Sequence, residues 1–203
     1  MAPKAFIRKE TLVQTSVLVV WIALIAVFPL ASGGSRQQPP DAQSPKPPSN
    51  PGDTWAPLRF LVGSWEGTSS GQPGNGIVRR EYRLVLRDRF IEGRSTSTYP
   101  PQEKNPKGEV HEDVAYFSYD RSSKAFKMRQ FHVEGFVTGY VASTTGPSEV
   151  VFNSENLENI PPGWRARETW RITSVDSFVE IFELAQTGKD FTVYSETHLT
   201  RRR

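Results

Sequence analysis

Residues 129–136 read Arg-Gln-Phe-His-Val-Glu-Gly-Phe and place a cation, an amide, an imidazole and a carboxylate close together. In an extended strand, Gln130 and His132 share one face, because successive side chains alternate between the two faces. If this face points into a cavity, with Glu134 at the strand end, polar groups lie among aromatic side chains. Small-molecule pockets fix the orientation of their ligands in this way. The competing interpretation is an interior polar network whose groups satisfy each other.

Two more carboxylates fall among aromatic residues. Glu168 precedes Trp170 by two positions, and Glu180 is flanked by phenylalanines at the same spacing. A carboxylate on an aromatic face must be paired or hydrated, and Arg80 is an available partner. Tyr82 alternates with charged neighbours, which is typical of a half-buried strand. The predicted ligand-binding residues are Tyr82, Gln130, His132, Glu134, Glu168, Trp170 and Glu180.

The three histidines, His111, His132 and His198, are far apart in the sequence. Their spacing does not indicate a shared metal site, so we expect each to be a surface or hydrogen-bonded residue. Residues 67–71 match the G-x-S-x-G pattern of serine hydrolases, but that motif requires a helix after the serine. The turn-forming residues that follow here exclude such a helix. The sequence therefore favours a binding module over an enzyme.

Ten short strand-like segments carry these residues, and no segment shows sustained helical periodicity. Short turns separate most of them, which predicts an all-β, closed antiparallel up-and-down barrel, because closure removes exposed strand edges. A short helical turn is expected just before the first strand. The predicted strands are 63–68, 77–86, 89–98, 113–119, 125–132, 136–142, 149–154, 164–172, 178–184 and 191–200.

The N-terminal region has the layout of a secretory signal. Basic residues are followed by an apolar run and then by small residues at 31–34, and the expected cleavage site follows Gly33. An uncleaved N-terminal anchor is the alternative, and it would be the only contact with a membrane. We assign residues 1–33 to the signal, 34–54 to a proline-rich disordered linker and 55–203 to the barrel domain.

The composition of the chain excludes several kinds of site and partner. The chain has 203 residues, a formal net charge of +3 and no cysteine, which excludes disulfides and thiolate metal sites. About 150 residues remain for the domain, enough to bury a real core. Basic residues do not form a stripe interleaved with aromatic residues, so nucleic acid is not an expected partner.

Residues 60–67 read Phe-Leu-Val-Gly-Ser-Trp-Glu-Gly and open the strand series. Gly63 lets the backbone pass close to a neighbour, and Trp65 can plug the barrel floor. With a basic residue at Arg201 or Arg202 near the last strand, this pattern resembles calycin-like barrels such as lipocalins and fatty-acid-binding proteins. The resemblance implies a barrel floor built from Gly63, Trp65 and Arg201.

Two narrower resemblances follow from longer stretches. Residues 129–136 and 158–168 are similar to bacterial DUF1579-type proteins of unassigned function. The Gly-x-Trp-x-Gly opening and His198-Leu199 in the final strand resemble nitrobindins, which implies heme as a cofactor, His198 as its iron ligand and activity on nitrogen oxides. The strand's alternation instead favours an outward His198, and a one-residue register shift would reverse that.

The sequence thus supports three hypotheses. The first is an exported barrel that binds a small, largely apolar molecule in its lumen. The second is a heme-binding barrel that acts on nitric oxide or peroxynitrite through His198. The third is a structural or interaction barrel with a filled lumen.

We expect export to remove residues 1–33, because the order of charge, apolar run and small residues is that of a cleaved signal. The measurement is the intact mass of the protein recovered from a periplasmic or secreted fraction. A mature chain that still begins at Met1 in that fraction would contradict cleavage.

Overall fold

The computed structural model describes residues 53–103 and 105–203, so the predicted signal and almost all of the predicted linker lie outside the described residues. A 3₁₀ helix, Ala56–Leu61, begins the described part. No helix within these residues is long and apolar enough to cross a membrane. The ten strands that follow are β1 Gly63–Gly71, β2 Gly76–Val85, β3 Phe90–Tyr99, β4 Glu109–Asp120, β5 Ala125–His132, β6 Val137–Thr145, β7 Glu149–Glu158, β8 Trp164–Ser174, β9 Ser177–Gln186 and β10 Thr192–Arg201.

The strands form one closed barrel in which each strand pairs antiparallel with the next, and β1 pairs with β10. The closing register places Trp65 opposite Arg201 and Gly67 opposite Leu199. The predicted closed up-and-down barrel is therefore confirmed. The main differences are lengths: β4 begins at Glu109 rather than at 113, and β7 ends at Glu158 rather than at 154.

The barrel core is built from alternate residues of the strands, as the period-two pattern requires. At its centre, the rings of Phe117, Phe152 and Trp170 contact one another, with centroid distances of 6.0, 5.8 and 5.3 Å. All three side chains are fully buried. Edge-to-face and tilted contacts of this kind stabilise aromatic clusters beyond their area burial. This cluster separates the floor of the barrel from the lumen above it.

The 3₁₀ helix and the first strand close the floor. Trp65 is buried, donates its indole N–H to the carbonyl oxygen of Leu61 at 2.7 Å, and meets Phe178 edge-to-face at 4.8 Å. Leu58 and Leu61 of the helix are also fully buried. The helix therefore seals this end of the barrel with its apolar side, while Trp65 fills the space beneath it.

Arg201 holds this closure in place. Its guanidinium lies 4.2 Å from the Trp65 ring centre and donates to the carbonyls of Val62 and Phe60 at 2.7 and 2.9 Å. Gly63 has φ +130°, and a Cβ atom there would lie 2.5 Å from Nη1 of Arg201. The glycine thus makes room for the arginine, and these three residues form the expected floor.

Replacing Trp65 by alanine is expected to destabilise the domain by about 3–5 kcal/mol, the usual cost of truncating a buried aromatic residue. The measurement is chemical unfolding monitored by circular dichroism. Trp164→Ala is the matched control, since Trp164 lies at the opposite end of the barrel and is 36% exposed. Equal losses of stability in the two variants would contradict the floor assignment.

Candidate functional site

A cavity of about 350 Å³ occupies the barrel at the end away from the 3₁₀ helix. Its mouth is bordered by Pro73 of the β1–β2 loop and Ile160 of the β7–β8 loop. The upper wall is mainly aromatic and aliphatic, and its base is polar. The apolar wall residues include Tyr99, Phe136, Leu157, Phe182, Leu184 and Tyr194.

An ion pair lies at the base of the cavity. Nη2 of Arg80 on β2 is 2.6 Å from Oε1 of Glu180 on β9, and each side chain is only 11% exposed. Burial opposes the charge of Arg80, but the carboxylates of Glu180 and Asp113 outweigh it and raise the pKa of Arg80 above its usual value. Arg80 therefore stays cationic, and the pair fixes both side chains in the lumen.

Glu168 on β8 is the second buried carboxyl group of the base. Burial raises its pKa well above the usual value, and the nearby negative charge of Glu180 adds to this effect. A hydrogen bond with Tyr140 and the charge of Arg80 act in the opposite direction without cancelling it. Burial therefore favours the neutral form of this carboxyl group to a higher pH than is usual for glutamate.

The third buried carboxyl group, Asp113 on β4, accepts a hydrogen bond from Nε2 of Gln130 at 3.0 Å. The Oε1 atom of Gln130 is buried and has no hydrogen-bond partner within residues 53–103 and 105–203. A buried amide oxygen without a donor is uncommon. A ligand that donates a hydrogen bond here would satisfy it.

Two imidazoles form a chain along the cavity wall. Nδ1 of His111 lies 2.8 Å from Oε1 of Glu134, and Nε2 of His111 lies 3.4 Å from Nδ1 of His132. The His132 ring stacks on Phe136 with centroids 3.9 Å apart and an interplanar angle of 20°. Nε2 of His132 is buried and lacks a partner in the described part of the chain. The chain therefore ends on an unsatisfied nitrogen.

The pKa of His132 is lowered to about 4, mainly by burial and also by the neighbouring His111, while Asp113 and Glu134 partly oppose the shift. His132 is therefore neutral at physiological pH. With Nδ1–H of His111 donating to Glu134, Nε2 of His111 can accept a hydrogen bond from Nδ1–H of His132. This assignment leaves a lone pair on Nε2 of His132.

Most of the residues predicted from the sequence come together in this cavity. Gln130, His132, Glu134, Glu168 and Glu180 all line it. Two others do not. Tyr82 and Trp170 are buried below it, where they border a smaller space of about 20 Å³ together with Gln130, Glu168 and Glu180.

His198 lies on the outer surface of the barrel. Its side chain is 63% exposed, and Nε2 is 2.8 Å from Oε1 of Glu196. The residue does not line the cavity. A heme iron in the lumen requires an inward imidazole, so the assignment of His198 as a ligand facing the lumen is corrected: the register of β10 turns this side chain to the exterior.

Sequence reasoning missed two residues of the site. His111 was expected to be a surface or hydrogen-bonded histidine without a role in the site, and Asp113 was not singled out. In the structure both lie on β4, two positions apart, and Asp113 is paired in register with His132 on β5. The two-residue spacing of His111 and Asp113 was visible in the sequence, but the strand that pairs with β4 and its register were not.

The stability of the Glu168→Gln variant relative to wild type is expected to increase as the pH rises. The folded-state pKa of Glu168 lies above the usual 4.5, so its contribution to stability is complete below pH 4.5 and declines as pH rises toward the raised value. Glutamine mimics the neutral acid and lacks this decline. The Tm of the variant relative to wild type should therefore be higher at pH 8 than at pH 5, by about 2 °C or more.

Glu81→Gln, on the exposed face of β2, is the control, and its relative Tm should not change between these two pH values. A relative Tm for Glu168→Gln that is equal at both pH values, or lower at pH 8, would show that Glu168 is already ionised in the folded protein.

Comparisons with known proteins identify a fold and no family. No family model matches the chain, and no curated protein matches its sequence. Among solved structures, it is similar to the crystal structure of Rv2717c from M. tuberculosis, with a TM-score of 0.57 and 15% identity, covering 75% of this chain and 99% of that one. The likeness fits a calycin-like barrel, whereas neither the DUF1579-type nor the nitrobindin resemblance is confirmed.

Proposed function

We propose that this protein is an exported barrel that binds a small, largely apolar molecule in its lumen. The observation that carries the proposal is the cavity of about 350 Å³, a volume within the range of known small-molecule sites. Aromatic and aliphatic side chains make up much of its wall, and Arg80, Glu168 and Glu180 lie at its base, while Glu109 and Glu134 lie near the mouth. A ligand would therefore bury an apolar body near the mouth and direct a polar end inward. Export rests on the pattern of residues 1–33.

The charges of the cavity restrict the polar end of the ligand. Among the described residues, five carboxyl groups and one guanidinium line the cavity. The guanidinium of Arg80 is already paired with Glu180 at 2.6 Å. An anionic ligand would meet uncompensated negative charge in a medium of low dielectric constant. A neutral hydrogen-bond donor or a cation suits the lumen, because Gln130 and Asp113 offer acceptor oxygens.

The other two hypotheses have weaker support. A filled structural lumen does not agree with a cavity of this size, and such a cavity weakens packing unless a ligand occupies it. The heme hypothesis relied on His198, whose imidazole faces solvent. The apolar-ligand barrel is the function that the cavity supports best.

The test compares three ligands with the same ten-carbon chain: 1-decylamine, 1-decanol and decanoate. Each is titrated against protein loaded with the neutral dye Nile red, with the solutions treated with EDTA. We expect the amine and the alcohol to displace the dye at concentrations at least about tenfold lower than decanoate, since repulsion of about 1.4 kcal/mol gives this factor. Decanoate binding as tightly as the amine would contradict the charge argument.

A variant that fills the lumen separates cavity binding from surface binding. Ala166 is buried and lines the cavity, so Ala166→Trp should abolish dye uptake. Ser70→Trp, on the exposed side of β1, is the matched control and should take up dye normally. Circular dichroism confirms that both variants fold. Equal dye uptake by the two folded variants would place the ligand outside the lumen and overturn the proposal.

A further inference from the structure

Three side chains at the cavity wall are arranged as a set of metal ligands. His111, His132 and Glu134 each offer one donor atom, and these atoms all lie within 4.8 Å of one another. The distance from Nε2 of His111 to Nδ1 of His132 is 3.4 Å. Two imidazole nitrogens bound to one tetrahedral Zn²⁺ at the usual bond length are separated by about 3.4 Å. The two rings therefore already have the spacing of a shared ion. Oε1 of Glu134 lies 2.8 Å from Nδ1 of His111, the other nitrogen of that ring, so this exposed side chain must turn toward Nε2 of His111 to complete the set.

The backbone holds this set rigidly. His111 lies on β4, and His132 is the last residue of β5, the strand that pairs with β4. The turn that carries Glu134 is fixed by hydrogen bonds from the Val133 amide to the Glu112 carbonyl and from the Gly135 amide to the His132 carbonyl, at 2.9 and 2.8 Å. Sites on paired strands keep their geometry better than sites on loops.

The electrostatic surroundings suit a cation. Oδ2 of Asp113 lies 3.8 Å from Nε2 of His111, and Nε2 of Gln130 holds the other carboxylate oxygen at 3.0 Å. A second carboxylate thus adds negative charge beside the two imidazoles. Binding an ion through Nδ1 of His132 would displace the proton that this nitrogen shares with Nε2 of His111. The neutral His132 imidazole would then carry its proton on Nε2.

We propose that His111, His132 and Glu134 bind one divalent transition-metal ion of the zinc type in the wall of the lumen. Two imidazoles and a carboxylate are ligands that Zn²⁺ and Co²⁺ favour, whereas Mg²⁺ and Ca²⁺ prefer oxygen ligands alone. Three protein ligands leave a fourth coordination position for water or another small donor. The inference goes beyond the proposed binding of an organic ligand, because it concerns a different ligand class and needs no occupant in the lumen.

The test is calorimetric titration of Zn²⁺ into the full chain, produced without a histidine tag and freed of metal with a chelator. We expect one Zn²⁺ per chain. Loss of a residue that only orients a metal ligand usually lowers metal affinity 10–100-fold. Loss of a ligand itself should cost at least as much, so His111→Ala should weaken Zn²⁺ binding at least about tenfold. Co²⁺ added in place of Zn²⁺ should give visible absorption bands that are lost in this variant.

The third histidine provides a matched control. His198 is exposed and lies 2.8 Å from Glu196, so it is a surface histidine–carboxylate pair outside the site. His198→Ala should bind Zn²⁺ as wild type does. The Glu134 side chain is 44% exposed, so Glu134→Gln removes a proposed metal ligand with little risk to folding. This variant too should bind Zn²⁺ at least about tenfold more weakly than wild type.

The proposal is overturned if wild type binds no Zn²⁺ at 100 µM, which is about the highest dissociation constant that a useful site would have. It is equally overturned if the Glu134→Gln variant binds as wild type does, or if His198→Ala is as defective as His111→Ala. Thermal unfolding checks that each variant is folded. The Nile red titrations are made with EDTA, so their outcome does not depend on metal binding. The Zn²⁺ titration likewise does not depend on dye displacement, so the two proposals can fail separately.

Discussion

Pairing of β1 with β10 closes the sheet and forces alternate side chains of every strand into one confined lumen. Polar residues on the inner face cannot reach bulk water freely, so they must find partners there. Arg80 on β2 and Glu180 on β9 are 100 residues apart in sequence, yet closure brings them to 2.6 Å. The same closure sets Arg201 above Trp65 and so fixes the floor. The base of the cavity and the floor of the barrel thus depend on one strand pairing.

Much of the fold could be predicted from local patterns. Alternation of apolar and polar residues identified ten strands, and the spacing of Gly63 and Trp65 indicated the floor, because both signals depend on neighbours in sequence. The site required distant information. The pKa of Glu168 is raised by burial and by the charge of Glu180, and His111 meets His132 only through the register of β4 with β5. A single sequence carries no direct record of such pairings.

The lumen combines two kinds of packing with different consequences. Below, Phe117, Phe152 and Trp170 fill the space and stabilise the barrel. Above, carboxyl groups outnumber the single guanidinium of the cavity within the described chain, and two buried polar atoms lack partners. Burying uncompensated polar groups reduces stability, and proteins retain such groups mainly where they bind or react. The barrel interior is thus divided into an aromatic half and a half lined by charged and polar groups, and the proposed function concerns the second of these.

The floor contact between Arg201 and Trp65 also governs when the domain can fold. It joins the start of the barrel to its final strand, so contacts of very large sequence separation must form before the barrel is sealed. Folds dominated by such contacts form slowly. A chain that emerges from a ribosome or passes through a translocation channel cannot complete this barrel until residue 201 is free. The barrel can therefore close only after its C-terminal strand is available to pair with β1.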